Sequence, residues 1–180
     1  MPLNHEFKAR TSQLHHLEHL LKQENPRFVG TDHQTDVYFK VPTGRLKLRR
    51  GNIENSLIHY ERENLAGAKA SKVLLYRHEP DAALEAILRK TMGVLVEVKK
   101  ERKIYFIDRV KFHFDRVERL GTFIEVEVID RTDTIGVERL AEESAKWAAF
   151  FGVREEDFVA VSYSDLLLQK TAPPKTGEAV

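Results

Sequence analysis

The 180-residue sequence has no cysteine, which excludes disulfide frameworks, thiolate metal sites and cysteine nucleophiles. Any bound metal must sit on oxygen or imidazole. No apolar run approaches the roughly 20 residues that a helix needs to cross a bilayer. The opening Met1-Pro2-Leu3-Asn4-His5-Glu6 lacks the basic and then apolar regions of a signal peptide, so a soluble, cytoplasmic chain is expected. Net charge is almost absent too: 29 Lys plus Arg against 28 Asp plus Glu leave +1, and no global field draws the molecule to nucleic acid or to a membrane surface. A Walker-type glycine loop and a Gly-x-Ser-x-Gly elbow are both missing, which disfavours P-loop chemistry and acyl transfer.

What is present is a core. Hydrophobic residues make up 42% of the chain, with ten Phe, five Tyr and one Trp, enough to exclude wholesale disorder. The length suits one domain, expected over residues 1–170, with 171–180 (beginning Thr171-Ala172-Pro173-Pro174) as a disordered tail. Helices are expected over 11–24, 80–92 and 133–151 from the spacing of apolar residues and the Thr-Ser, Pro-Asp and Gly boundary signals. Residues 162–168 read as a short helix or strand.

The informative pattern lies in the strands. In Gly44-Arg45-Leu46-Lys47-Leu48-Arg49-Arg50-Gly51, alternation puts Arg45, Lys47 and Arg49 on one face and the leucines on the other. One such strand is commonly a solvated face, but the pattern recurs. Lys100 and Arg102 share a face within 98–106. Arg109, Lys111, His113 and Asp115 alternate with Val110, Phe112 and Phe114. Glu125 and Glu127 alternate with Ile124, Val126 and Val128, and Asn4, Glu6, Lys8 and Arg10 share a face at the N-terminus. Two further strands are expected at 35–41 and 55–64 and a short one at 73–76, with a basic loop, 65–72, between the last two.

Many strands with one charged face each can pack their apolar faces together, or close into a barrel with the charged faces inward and helices outside. The second arrangement makes a polar tunnel, and so many buried charges need partners. Rows of Arg and Lys suit phosphate oxygens; carboxylates at i and i+2 on a strand suit a hard divalent cation shared with phosphates. A polyphosphate with Mg²⁺ or Mn²⁺ is therefore the expected ligand. Two rivals are weaker. His15 and His19 stand four apart on a helix but have no third ligand nearby for zinc, and an RNA-binding sheet would place many acids against a phosphate backbone.

The ordered set Glu6-Phe7-Lys8, Arg45-Leu46-Lys47-Leu48-Arg49, Lys100-Glu101-Arg102, Asp115 through Glu127 and Ser162-Tyr163-Ser164-Asp165-Leu166-Leu167 resembles the CYTH superfamily, named for class IV adenylate cyclases and thiamine triphosphatases. The resemblance spans roughly residues 3 to 168, and Ile58 to Ser71 looks more like the cyclase branch. It implies an α+β fold, an eight-stranded antiparallel barrel with a charged interior and helices outside. It also implies a metal-dependent enzyme acting on a small-molecule triphosphate (ATP, tripolyphosphate or thiamine triphosphate) with Mg²⁺ or Mn²⁺, and neither nucleic acid nor membrane as partner; a homodimer is compatible with it. Carried over, Glu6, Asp115, Glu125 and Glu127 fall on the metal side. Lys8, Arg45, Lys47, Arg49, Arg62, Lys69, Lys100, Arg102 and Lys111 bind phosphate, and Lys8, Arg62, Lys100 and Asp115 are the catalytic candidates. An adenylate cyclase reading comes first, with triphosphate hydrolysis as the alternative. One departure stands out: the family signature Glu-x-Glu-x-Lys has Asn4 as its first residue here, which removes a charge from the metal side and raises simple triphosphate binding as a third reading.

Overall fold

The computed structural model describes residues 3–61, 72–132 and 134–171. Among these, the elements run β1 (Leu3–Arg10), α1 (Leu14–Gln23), β2 (Arg27–Phe39), β3 (Arg45–Arg50), β4 (Ser56–Glu61), β5 (Lys72–Arg77), α2 (Ala82–Met92), β6 (Val94–Ile107), β7 (Val110–Val117), β8 (Gly121–Asp130), α3 (Val137–Phe150) and α4 (Tyr163–Thr171). The strands form one sheet in the order β1-β8-β7-β6-β2-β3-β4-β5, every ladder antiparallel. The sheet curls around a cavity as a half-barrel; β1 and β5 are its two edges, with no ladder between them among the described residues.

Register decides which side chains enter the cavity, because a one-residue slip would send every side chain to the other face. Glu6 lies opposite Glu127 and Lys8 opposite Glu125 on β1 and β8. Lys111 and His113 lie opposite Glu127 and Glu125 on β7 and β8, and Arg102 lies opposite Asp115 on β6 and β7. The charged faces therefore converge on the concave side, as the alternation implied.

The convex side carries the apolar partners. Phe7, Ala9, Phe112, Phe114, Ile124, Val126 and Val128 are buried there beneath Leu14, Leu17 and Leu21 of α1 and Leu140 and Ala148 of α3. Leu88 of α2 packs on Val37, Phe39 and Leu48. Asp81 starts α2 by accepting a hydrogen bond from the Ala83 amide at 2.7 Å. The expectation of helices outside the wall fails for α4. Its Tyr163 and Leu167 cluster with Tyr38, Ile58, Tyr60, Val98, Val117 and Phe123, residues in step with the inward-facing charges, so α4 stops one end of the concavity. No helix among the described residues is long and apolar enough to cross a membrane.

Two strands are longer than the sequence suggests. β2 begins at Arg27 rather than near residue 35 and pairs with β6 along nearly its whole length, past an irregularity between Phe28 and Gly30. Its first half reads as a loop because Gly30 and the polar run Thr31-Asp32-His33-Gln34 replace the apolar residues that ordinarily mark a strand. β6 likewise starts at Val94, directly after α2.

The underside of α1 supplies a test of how the helices are held. Glu18, 5% exposed, accepts hydrogen bonds from Lys103 Nζ at 2.8 and 3.0 Å and from the Tyr105 hydroxyl at 2.7 Å. Burial alone would raise its pKa, but Lys103, Tyr105 and Lys22 bring it down to about 2. A lowered carboxyl pKa stabilises the fold above the ordinary value of 4.5 and loses that contribution as pH falls toward 2. Glu18→Gln is expected to cost about 2 kcal/mol at pH 7, and the gap between the two proteins in urea denaturation should close as pH falls from 5 to about 2. A gap independent of pH would show that the charge at Glu18 does not anchor α1.

Candidate active site

At the centre of the concave face sits Asp36, 1% exposed. Arg49 grips it with two bonds, Nε to Oδ1 at 2.8 Å and Nη2 to Oδ2 at 2.9 Å, while Lys47 and Lys100 reach Oδ2 at 3.2 and 2.9 Å. Three cations from β3 and β6 thus share one carboxylate of β2. Burial alone would raise Asp36, but Arg49, Lys100 and Lys47 hold it well below the usual carboxylate range. One anion cannot neutralise three cations. The deficit falls on Lys100, which burial, Arg49, Arg102 and Lys47 push down to about 7 against the pull of Asp36.

A second group lies on β1, β6, β7 and β8. Arg102 is held by Asp115 in a two-pronged pair, Nε to Oδ1 at 2.7 Å and Nη2 to Oδ2 at 2.6 Å. Tyr163 of α4 donates its hydroxyl to the same Oδ2 at 2.7 Å. Glu125 lies 3.5 Å from Arg102, 3.4 Å from Lys8 and 3.2 Å from His113 Nδ1. His113 is driven down to about 4 by burial and Arg102 despite Glu125, so its ring is neutral at pH 7. Glu127 behaves oppositely to Glu125: burial pushes it up to about 7, with Glu125 and Glu6 adding to the rise and Lys111 opposing it.

That crowding tests whether a cation fits. Ligand atoms of His113, Glu125 and Glu127 lie within 4.8 Å of one another, and Glu6 lines the same cavity. These are mostly hard oxygen donors whose mutual repulsion a divalent cation would relieve, so the donor set suits a hard divalent cation.

The cavity, 1270 Å³ in volume, is lined by nine of the residues expected from the sequence: Glu6, Lys8, Lys47, Arg49, Lys100, Arg102, Lys111, Glu125 and Glu127. Asn4 also lines it. Arg45 shares their strand face but does not line the cavity; it pairs with Asp165 of α4 at 2.9 Å and reaches Ser162 at 3.4 Å. Asp115 is fully buried and also off the cavity, and both its oxygens are taken by Arg102 and Tyr163. Here it is the support of Arg102, which displaces the expected metal-side and catalytic role. Arg109, expected on the inner wall, instead bonds Glu143 of α3 on the outside, because β7 begins one residue after it. Arg62 and Lys69 lie outside the described residues.

Sequence reasoning missed Asp36, although the alternation of Asp32, Gln34, Asp36 and Tyr38 matches that of the nominated strands and was there to be found. It also missed Glu54, which stands in the β3–β4 loop and has no periodicity to betray it. The lining includes apolar side chains as well, from the cross-strand pairs Ile58 with Leu75 and Tyr60 with Val73 on β4 and β5.

Solved structures of similar shape include a conserved hypothetical protein from Pyrococcus furiosus, 28% identical, with TM-score 0.76 over 91% of this chain and 99% of that one. A candidate adenylate cyclase from Vibrio parahaemolyticus is 19% identical, with TM-score 0.71 over 92% and 97% of the two chains. A candidate adenylyl cyclase from Hippeastrum, described as having a dominant triphosphatase activity, is 13% identical, with TM-score 0.69 over 97% and 98%. A search of curated protein sequences found no match. The family comparison is decisive because it covers every strand that lines the cavity: the CYTH domain matches residues 3–163, and the chain belongs to the CYTH domain family.

Proposed function

We propose that the protein is a metal-dependent enzyme acting on a nucleoside triphosphate, of the adenylate cyclase type that converts ATP to cyclic AMP and pyrophosphate. The observation that carries this reading is one cavity that gathers cations of β1, β3, β6 and β7, carboxylates of β1 and β8, and apolar side chains of β4 and β5. Such a lining matches a ligand with a polyanionic chain, a bound cation and an organic group. Family membership and the cyclase-like neighbours support it.

In this reading Lys8, Lys47, Arg49, Lys100, Arg102 and Lys111 clamp the phosphate chain. Asp115 and Tyr163 keep the Arg102 guanidinium aimed, so its remaining donors meet phosphate without reorganisation. Glu125 and Glu127, with Glu6, would hold Mg²⁺ or Mn²⁺. The cation, when bound, neutralises charge on the phosphate oxygens. Ile58, Tyr60, Val73 and Leu75 offer apolar contact to the organic group. In a cyclase the ribose 3′-hydroxyl attacks the α-phosphorus and pyrophosphate leaves. In the second reading, triphosphate hydrolysis, water attacks the terminal phosphorus; the neighbour from Hippeastrum, with its dominant triphosphatase activity, favours it.

Resolving the products of ATP with Mn²⁺ separates the readings. Cyclic AMP with pyrophosphate is expected; ADP with phosphate would mean hydrolysis, and binding without turnover would reject catalysis. Replacing Glu125 and Glu127 together by Gln should cut metal-dependent turnover by at least about a hundredfold. The circular dichroism should not change, because Ile124, Val126 and Val128 still pack the convex face.

Lys100 sets a pH dependence. It must carry its proton to hold phosphate, and in the empty protein it loses that proton near 7. Its contribution is therefore complete at pH 6 and weakens as pH rises above 7, by up to about tenfold per unit until the pKa of the occupied form is passed. Calorimetry with inorganic tripolyphosphate should show weaker binding by Lys100→Gln at pH 6 and a wild-type excess that shrinks between pH 7 and 9. A constant excess would show that Lys100 keeps its proton throughout.

A further inference from the structure

Glu54 stands in the short loop 51–55 between β3 and β4, and β2 pins that loop in place. Fully buried Asp32 accepts the amides of Ile53 and Glu54 at 2.9 and 3.0 Å. The Asn52 side chain bridges the His33 amide and the Thr31 carbonyl at 2.6 and 3.0 Å. Asn55 closes the loop on the Gly51 amide and carbonyl at 3.1 and 3.0 Å. Gly51 is required for this fit, since a Cβ there would sit 2.5 Å from Asp32 Oδ1. A loop anchored at so many points is built to deliver its side chain to one place.

That place is occupied by two of the cations assigned above to phosphate. Glu54 Oε2 accepts from Arg49 Nη1 at 2.9 Å and from Gln34 Nε2 at 3.1 Å; Oε1 accepts from Lys111 Nζ at 2.7 Å. Arg49 belongs to β3 and Lys111 to β7, three places apart in the sheet order, so this carboxylate spans the concave face from one bank to the other. Its geometry is that of two oxygens of a phosphate group, both bonded by cations. The side chain remains 27% exposed, and unlike the buried pairs of Asp36 and Asp115 it can rotate away into the cavity.

We propose that Glu54 is a resident competitor for the phosphate chain, a carboxylate that holds Arg49 and Lys111 together in the empty tunnel and is exchanged for phosphate oxygens when a triphosphate binds. The inference rests on the reading that these cations bind phosphate, and it adds a residue that nothing else assigns to the site. Exchange makes affinity the difference between two sets of charge-assisted bonds, so the tunnel binds its ligand less tightly than its cations alone would allow. It also keeps two cations from repelling each other while they wait.

The test is calorimetry with inorganic tripolyphosphate in the absence of divalent metal, on the wild type, Glu54→Gln, and Glu79→Gln as a control that removes an exposed acid from the rim of the same cavity. Glu54→Gln is expected to bind about tenfold more tightly, the equivalent of about 1.4 kcal/mol, and Glu79→Gln to change binding by less than about twofold. The empty Glu54→Gln protein should melt at a lower temperature than the wild type and recover the difference with tripolyphosphate. In a Lys111→Ala background the gain from Glu54→Gln should shrink, since one of the two exchanged bonds is gone. Unchanged or weaker binding by Glu54→Gln overturns the exchange, and so does an equal gain from Glu79→Gln or an undiminished gain in the Lys111→Ala background, either of which would reflect only lost negative charge. If neither the wild type nor the variant binds tripolyphosphate, the phosphate reading itself falls and this inference falls with it.

Discussion

Everything in the tunnel depends on the salt bridges of Asp36. Without a buried anion, Arg49, Lys47 and Lys100 would face one another in a space that water reaches poorly, where like charges cost far more than at a surface. With it, three strands are tied together: β2 supplies the anion, β3 two cations and β6 the third. Around Asp36 itself the cations outnumber the anion, and Glu54 reaches in from the β3–β4 loop to share Arg49. The protonation of Lys100 reports the same imbalance from the other side.

The opposite bank solves a different problem. Glu125 and Glu127 alternate along β8, but their surroundings differ. Glu125 has Arg102, Lys8 and His113 around it and stays charged, whereas Glu127 has Glu125 and Glu6 for neighbours with Lys111 the main opposing charge. Two chemically identical side chains, two residues apart, are thus driven in opposite directions: burial raises Glu127, and the cations around Glu125 overcome the same effect there. An anionic ligand with its cation would draw on both banks at once.

How far the sequence reveals this follows from what alternation can and cannot carry. It exposed the wall, because Lys47 and Arg49, and Glu125 and Glu127, sit at period two beside apolar partners that pack the convex face, and Lys100 and Arg102 repeat the same period between the charged Lys99, Glu101 and Lys103. It did not separate residues that touch the cavity from those that hold them. Asp115 has the same parity as Lys111 but is wholly engaged by Arg102 and Tyr163, and Arg45 has the parity of Arg49 but is engaged by Asp165. Only tertiary distance distinguishes a lining residue from its support. Asp36 escaped although it lies within the strand expected at 35–41, because Val37-Tyr38-Phe39 dominate that stretch and mask the alternation of its polar face, and Glu54 because a loop has no period. The placement of α4 inside the concavity was likewise illegible, since the apolar residues of a short helix do not say which side of a sheet they will cover.

The support of Arg102 by Tyr163 has a consequence for how the molecule comes into being. The cation belongs to β6 and its carboxylate to β7, but the hydroxyl that completes the pair, and the Asp165 that fixes Arg45, belong to α4 near the end of the chain. During synthesis from the amino terminus, the strands of the wall emerge first, and β1 must wait for β8, more than a hundred residues later, before it can form its ladder. Such distant pairings slow folding. The tunnel therefore matures last: a ribosome-bound chain that already holds all eight strands would still have an Arg102 without its full anchor and an open end where α4 has yet to dock.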